Sequence, residues 1–95
     1  MLPIVWRADA RDDLAQILGF IARRNPTAAR RMKELIDVAT TPLAEHPYLF
    51  RHSERVPGTR ELVVHPNYVV FYQVTETEVE ILSVAHTRQQ FPESH

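Results

Sequence analysis

Three residues around the predicted strands have side chains that could do chemistry together. Arg60 opens the stretch RELVVHPNYVVFYQV, and His86 and Arg88 close the stretch VEILSVAHTR. Metal-free RNA cleavage by the 2′-hydroxyl requires a general base, a general acid and a cation beside the phosphorane. One imidazole and two guanidinium groups could supply part of that set, so these residues are the candidates for an RNase site.

The other histidines predict neither a complete RNase site nor a metal centre. The chain has five scattered histidines, none of them at the i, i+4 spacing of helical zinc ligands. It has no cysteine and only two glycines, which excludes thiolate zinc sites and glycine-rich phosphate loops. We therefore predict no metal and no cofactor.

The basic residues are concentrated in one part of an otherwise neutral chain. The chain has eleven Lys and Arg and twelve Asp and Glu, which gives a net charge of −1. This balance does not favour general nucleic-acid binding. Arg23, Arg24, Arg30, Arg31 and Lys33 nevertheless follow one another without an intervening acid. They are either solvated helix charges or contacts for a binding partner.

Two helices are predicted between the first strand and the rest of the sheet. Ile4, Val5 and Trp6 form a short apolar strand, and apolar residues at helical spacing predict a helix over residues 9–24. Pro26 suits the first turn of a second helix that Asn25 can cap and that ends near residues 40–41. The short connection predicts an antiparallel helical hairpin.

An aromatic-containing crossover loop over residues 42–58 separates the helices from three predicted strands. β-branched and aromatic residues place these strands at residues 59–65, 68–74 and 79–87, with a loose tail at 89–95. The expected architecture is a single α+β domain over residues 1–95. Its order is β-α-α-β-β-β, with the helical hairpin packed on a mostly antiparallel four-stranded sheet.

Tight turns predict which side chains share a face of that sheet. A two-residue turn at Pro66 and Asn67 would set Val64 opposite Val69, and a four-residue turn at 75–78 would set Val74 opposite Val79. One face would carry Arg60, Leu62, Val64, Val69, Phe71, Gln73, Glu80, Leu82, Val84, His86 and Arg88. The other would carry Glu61, Val63, His65, Tyr68, Val70, Tyr72, Ile81, Ser83 and Ala85.

This register leads to three expectations. Both faces are apolar, so the face without helices needs a cover, either a partner or the crossover loop. Arg60 lies in a row with Glu80 and can pair with it, although an anion contact is the alternative. His65 lies on the opposite face from His86, which leaves the RNase machinery incomplete and predicts that His65→Ala leaves activity largely intact.

The chain resembles the RelE/ParE superfamily of toxins from type II toxin–antitoxin modules in two stretches of sequence, PGTRELVVHPNYVVFYQV and VEILSVAHTRQQFP. The likeness extends to the opening LPIVW and the loop PLAEHPYLF, which look most like the ParE branch, including ParE2-like toxins of plasmids and prophages. The resemblance implies a growth-inhibiting toxin that a cognate antitoxin neutralises by direct binding, in a hetero-oligomer. The absence of a signal peptide predicts a cytoplasmic protein without a membrane partner.

Two targets remain open at this point, and the third alternative is a detoxified relative that only binds its antitoxin. Members of the ParE branch typically poison DNA gyrase without catalysis, whereas the RelE branch is a ribosome-dependent mRNA endoribonuclease. In the RelE branch, the arginine of the second strand corresponds to Arg60 and the polar end of the last strand to residues 86–91. Phe91 stands where a tyrosine often acts, and the lysines of the basic RelE surface are missing, so we favour gyrase. The expected binding residues, for target or antitoxin, are Arg23, Arg24, Arg30, Arg31, Arg60, His86, Arg88 and Phe91.

Overall fold

The computed structural model describes residues 1–88 and has two helices on one side of a four-stranded sheet. The strands are β1 (Ile4–Trp6), β2 (Arg60–His65), β3 (Tyr68–Val74) and β4 (Val79–His86), and the helices are α1 (Ala8–Arg24) and α2 (Pro26–Thr40). The strand order is β1-β4-β3-β2, with β1 parallel to β4 and the other pairs antiparallel. The predicted element order and mixed sheet are confirmed.

The boundary between the helices follows the local chemistry of the sequence. Asn25 is extended, and its side-chain oxygen accepts a hydrogen bond from the Ala28 amide at 3.1 Å, while Pro26 fills the first helical position. A proline there costs no helical hydrogen bond. Helix α2 ends at Thr40, and Pro42 follows within a short 3₁₀ helix, Thr41–Ala44.

Two β-bulges change the predicted register of the sheet. His65 lies opposite Tyr68 as expected, but Val63 rather than Val64 lies opposite Val69, so Val64 is an extra residue. Strand β4 contains a second irregularity beside Phe71. Because neighbouring residues in a strand point to opposite faces, one extra residue exchanges the faces of everything beyond it. The predicted face assignment was therefore wrong for much of the sheet.

The observed faces carry two separate hydrophobic clusters. The cluster between the sheet and the helices contains Leu62, Val70, Tyr72 and Ile81 together with Ile36 from α2. Ten buried residues form this main core: Ala10, Ile36, Leu43, Leu62, Val64, Val70, Tyr72, Val79, Ile81 and Val84.

The second cluster lies on the opposite face and corrects the expectation of an uncovered apolar surface. Val69, Phe71 and Ala85 are all buried, and Val56 from the preceding loop packs against them. Val63 alone among the large apolar residues of that face is substantially exposed within residues 1–88. The crossover loop thus contributes to the cover, which was the alternative to a partner.

Candidate functional site

Arg60 holds the loop that borders strand β2. Its guanidinium donates to the Phe50 carbonyl at 2.7 Å, lies 3.2 Å from Nε2 of His52, and stacks over the Tyr48 ring at 5.0 Å from the centroid. Charge-assisted hydrogen bonds and cation–π contacts are individually modest but here act on one segment. We call residues 45–59 the edge loop.

Backbone pairing also attaches the edge loop to β2. The Ser53 amide donates to the Thr59 carbonyl at 2.8 Å, and the Glu61 amide donates to the Arg51 carbonyl at 3.1 Å. Gly58 adopts a φ of 83°, where a residue with a Cβ would be strained, and so turns the loop back into β2. The loop therefore occupies part of the sheet edge that β2 would otherwise expose.

Side chains beneath the edge loop complete this attachment. The buried Glu61 carboxylate accepts from Arg51 and from the Ser53 hydroxyl, each at 3.0 Å. The hydroxyl of fully buried Tyr72 donates to the Pro47 carbonyl at 3.0 Å, and burial raises the pKa of that hydroxyl. These bonds satisfy the polar groups that the loop covers.

The predicted ion pair between Arg60 and Glu80 is not present. Glu80 instead forms an ion pair with Arg7 and accepts from the Gln73 amide at 2.5 Å. The bulge places Arg60 opposite Tyr72, on the helix-covered face, whereas Gln73 and Glu80 lie opposite each other on the other face. Arg60 therefore contacts the edge loop instead of Glu80.

At the far end of the sheet, three rings form a row that the predicted register had separated. His65 lies opposite Tyr68, and Tyr68 lies opposite His86, with ring centroids 5.9 Å and 5.5 Å apart. The expectation that the two histidines occupy opposite faces was therefore wrong. The irregularity in β4 beside Phe71 moves His86 to the face that His65 and Tyr68 share.

Local hydrogen bonds determine the tautomer of both histidines. Nδ1 of His65 accepts from the Asn67 amide at 3.0 Å, and Nδ1 of His86 accepts from the Arg88 amide at 3.2 Å. A backbone amide can only donate, so each neutral ring carries its proton on Nε2. The row therefore presents N–H and O–H donors rather than a ready general base.

A cleft of about 390 Å³ adjoins this row, between α1 and strands β3 and β4. Tyr68 and His86 form one side, and Asp13, Gln16 and Phe20 from α1 form the other. Asp13 accepts from the Val84 amide at 3.0 Å. Burial raises the pKa of the Asp13 carboxyl, and the nearby carboxylates of α1 raise it further. We call this the α1–β4 cleft.

The three RNase candidates do not converge. Arg60 lies opposite Tyr72 and His86 opposite Tyr68, four residues apart along β3 and on the two strands that flank it. That corresponds to roughly 13 Å along the strands and roughly 10 Å across them. Arg88 is exposed just beyond His86. A single phosphate could not contact Arg60 and His86 together.

A second, more apolar groove borders the edge strand β1. Its volume is about 550 Å³, and Ile4, Trp6, Leu14 and Leu18 line it together with the charged residues Arg11, Lys33 and Asp37. Strand β1 pairs with β4 on one side and is the edge of the described sheet on the other. We call this the β1 groove. Sequence reasoning missed it, since a groove between elements leaves no periodic signal.

The basic cluster lies at the junction of the two helices and is exposed. Arg23 and Arg24 end α1, and the Arg24 guanidinium lies 5.1 Å from the centroid of the Phe20 ring. Arg30 donates to the Thr27 hydroxyl at 3.2 Å, and Arg31 is solvent-exposed nearby. Phe91, the remaining predicted binding residue, lies outside the described residues, as does the predicted tail.

Residues 1–88 contain neither a candidate membrane span nor a candidate metal site. No helix in this part of the chain is both long and apolar enough to cross a membrane. No group of three or more histidine, aspartate or glutamate side chains is arranged there to hold a metal ion.

Comparison with known proteins assigns the chain to a family. Residues 4–91 match the family described as ParE toxin of type II toxin–antitoxin system, parDE. The chain belongs to this ParE toxin family. A Caulobacter vibrioides protein named Toxin RelE2 is 37% identical over 86 residues, which are 90% of this chain and 96% of that protein.

Solved structures extend the ParE comparison to the fold. The chromosomal ParDE system of P. aeruginosa contains a chain with a TM-score of 0.78 and 26% identity, covering 90% of this chain and 96% of that one. The RelBE2 toxin–antitoxin complex of Mycobacterium tuberculosis gives a TM-score of 0.59 at 21% identity, with 90% and 96% covered. This ParE-family protein is thus a type II toxin by family and fold.

Proposed function

We propose that this ParE-family protein inhibits bacterial growth by poisoning DNA gyrase in the cytoplasm, and that it does not itself catalyse a reaction. The observation that carries the proposal is the separation of Arg60 from His86. Arg60 is engaged by the edge loop, and the histidines hold their protons on Nε2. An RNase would need a cation and an unprotonated imidazole nitrogen at one phosphate.

The direct test compares two activities of the same purified chain. We expect inhibition of supercoiling by gyrase, with accumulation of cleaved DNA, and no cleavage of mRNA on translating ribosomes. Cleavage of ribosome-bound mRNA without any effect on gyrase would contradict the proposal. A chain denatured and assayed at the same concentration controls for nonspecific inhibition.

The second candidate function is ribosome-dependent RNA cleavage, and one observation favours it. His65, Tyr68 and His86 share a row that the predicted register had divided. Two imidazoles and a phenol at one end of a sheet could hold a scissile phosphate. This site would use Arg88 rather than Arg60 as its cation, so Arg88→Gln would abolish cleavage while Arg60→Gln would not.

We further propose that a cognate antitoxin binds the β1 groove. The groove combines apolar walls with the open edge of β1, which can accept an added strand from an extended segment. Arg11 at the groove favours an acidic residue beside the apolar anchors, whereas Lys33 is already paired with Asp37. Each well-buried anchor contributes roughly 1.5–3 kcal/mol before ordering costs are subtracted.

The basic cluster extends that proposed interface around the helical hairpin. Arg23, Arg24, Arg30 and Arg31 are exposed and would meet further acidic side chains of the antitoxin. The test is the affinity of the antitoxin for Leu18→Glu, which puts a charge in the β1 groove. Glu34→Gln on the exposed surface of α2 is the control. Equal affinities for the two variants would exclude the groove.

A further inference from the structure

We propose that Tyr48 and Leu49 of the edge loop are the side chains by which this toxin docks on gyrase, where they enter an apolar pocket with a carboxylate on its rim. This inference rests on the proposed function, because it concerns a toxin that acts by binding. We call the two residues the loop tip. They lie beside β2, and β2 and β1 are at opposite edges of the sheet. The loop tip is therefore separate from the β1 groove proposed for the antitoxin.

The loop tip exposes two large apolar side chains that are adjacent in sequence. Tyr48 is 66% exposed and Leu49 is 62% exposed. Within residues 1–88, no other two sequence neighbours are both large, apolar and exposed. Single exposed apolar residues are normal on a protein surface, whereas apolar residues that form a patch indicate a binding site. The loop tip is therefore a candidate contact for another protein.

The sheet holds the backbone on both sides of the loop tip. The Tyr72 hydroxyl donates to the Pro47 carbonyl at 3.0 Å, and the Arg60 guanidinium donates to the Phe50 carbonyl at 2.7 Å. The Phe50 side chain also packs against the main core. A surface that is already ordered loses little conformational freedom on binding, so more of its contact energy appears as affinity. The loop tip is thus presented to a partner in one fixed arrangement.

Arg60 supplies positive charge beside the loop tip. Its guanidinium lies over the Tyr48 ring at 5.0 Å from the centroid. It contacts the Phe50 carbonyl and His52, and no acidic side chain within residues 1–88 forms an ion pair with it. These contacts use two of its five N–H groups, which leaves donors for a partner. Tyrosine beside arginine is typical of the residues that contribute most to protein interfaces, and a carboxylate complements this charge.

A protein fits the loop tip better than the DNA that gyrase carries. The edge loop contains Arg51 and Arg55 but also Glu45 and Glu54, so its charges balance. Binding to a phosphate backbone requires a clear excess of Lys and Arg. The apolar pair at the tip, with one unpaired guanidinium beside it, matches an apolar pocket and one acidic residue instead.

The test measures binding of the full-length chain, made by cell-free synthesis, to purified gyrase, together with inhibition of supercoiling. Tyr48→Ala should weaken binding about 30-fold and Leu49→Ala about tenfold, because each removes an apolar anchor. Tyr48→Phe should bind as the parent chain does, because the ring rather than the hydroxyl enters the pocket. Arg60→Gln should weaken binding only about threefold, since an exposed ion pair contributes little and Tyr72 still holds the loop.

Val38→Ala is the matched control, because Val38 is also 66% exposed but lies on α2. It should bind gyrase as the parent chain does. Unchanged binding in Tyr48→Ala or in Leu49→Ala would overturn this inference and leave gyrase poisoning intact, whereas no binding by the parent chain would overturn both. Binding to duplex DNA without gyrase, lost in the same two variants, would overturn the assignment to a protein pocket. Thermal unfolding confirms that each variant is folded.

Discussion

Replacing Arg60 by glutamine should destabilise the protein, but the Arg60 side chain should not be required for inhibition of the target. In the folded chain the guanidinium donates to the Phe50 carbonyl at 2.7 Å and stacks on Tyr48 at 5.0 Å. Glutamine is shorter, uncharged and unable to maintain both contacts. The edge loop would then be attached to β2 by side chains only through Glu61, which accepts from Arg51 and Ser53.

The expected loss is about 2 kcal/mol. A hydrogen bond from a charged donor contributes about 1.5–3 kcal/mol, and the lower end applies because Arg60 is half-buried. A cation–π contact at an exposed ring adds about 0.5–1 kcal/mol. For a domain of this size, each kcal/mol shifts Tm by about 4–8 °C, so Arg60→Gln should lower Tm by about 8–16 °C.

Arg88→Gln is the matched control for this measurement. Arg88 is exposed, and its side chain has no hydrogen bond or ion pair to another described residue. Its replacement should change stability by less than about 0.5 kcal/mol. Calorimetry gives Tm for both variants, and gyrase supercoiling and ribosomal cleavage are assayed at a temperature where both are folded.

The two functional hypotheses predict different results for this pair. If the protein poisons gyrase, Arg60→Gln retains inhibition when folded, and Arg88→Gln loses affinity for the target or the antitoxin without losing stability. An unchanged Tm in Arg60→Gln would refute the structural role of the guanidinium. Loss of RNA cleavage on the order of 100-fold in both folded variants would refute the assignment to gyrase.

The remaining predictions concern toxicity, pH and the histidine row. Expression without a partner should arrest growth, and normal growth with soluble, folded protein would contradict an active toxin. Asp13→Asn keeps an acceptor for Val84 and should raise Tm at neutral pH. Folding raises the pKa of the Asp13 carboxyl above its ordinary value of 3.8, so its ionisation costs stability once the pH exceeds 3.8. The gain in Tm from Asp13→Asn should therefore vanish in acid. His65→Ala should leave gyrase inhibition intact, whereas loss of toxicity at unchanged stability would favour the RNase hypothesis.

Several local features could be read directly from the sequence. Pro26 after Asn25 separates the two helices because a proline and its preceding residue restrict the backbone regardless of what surrounds them. The turn at Pro66–Asn67 was likewise correct, since its chemistry is contained in adjacent residues. The same holds for the strand order along the chain, and these features sufficed for the resemblance to ParE toxins.

Where the candidate residues meet could not be read in this way. The bulge at Val64 inserts one residue into β2, and no single residue type marks such a position. It reverses the faces predicted for Arg60 and Glu61, and the separate irregularity in β4 places His86 beside Tyr68 on the face of His65. Because of the bulge in β2, the expected ion pair between Arg60 and Glu80 does not form. Because of the irregularity in β4, the sequence did not predict the row of three rings.

The sequence by itself determined the helices, the turns, the number of strands and the family, because each depends on residues close together in the chain. The tertiary structure decided the register of the sheet, the attachment of the edge loop, the α1–β4 cleft and the β1 groove. Whether a bulge forms depends on how the whole sheet packs beneath α1 and α2, where burying Leu62 and Tyr72 outweighs one irregular pair. Arg60 accordingly pairs with backbone from a loop ten residues earlier rather than with the acid that a regular sheet would place beside it.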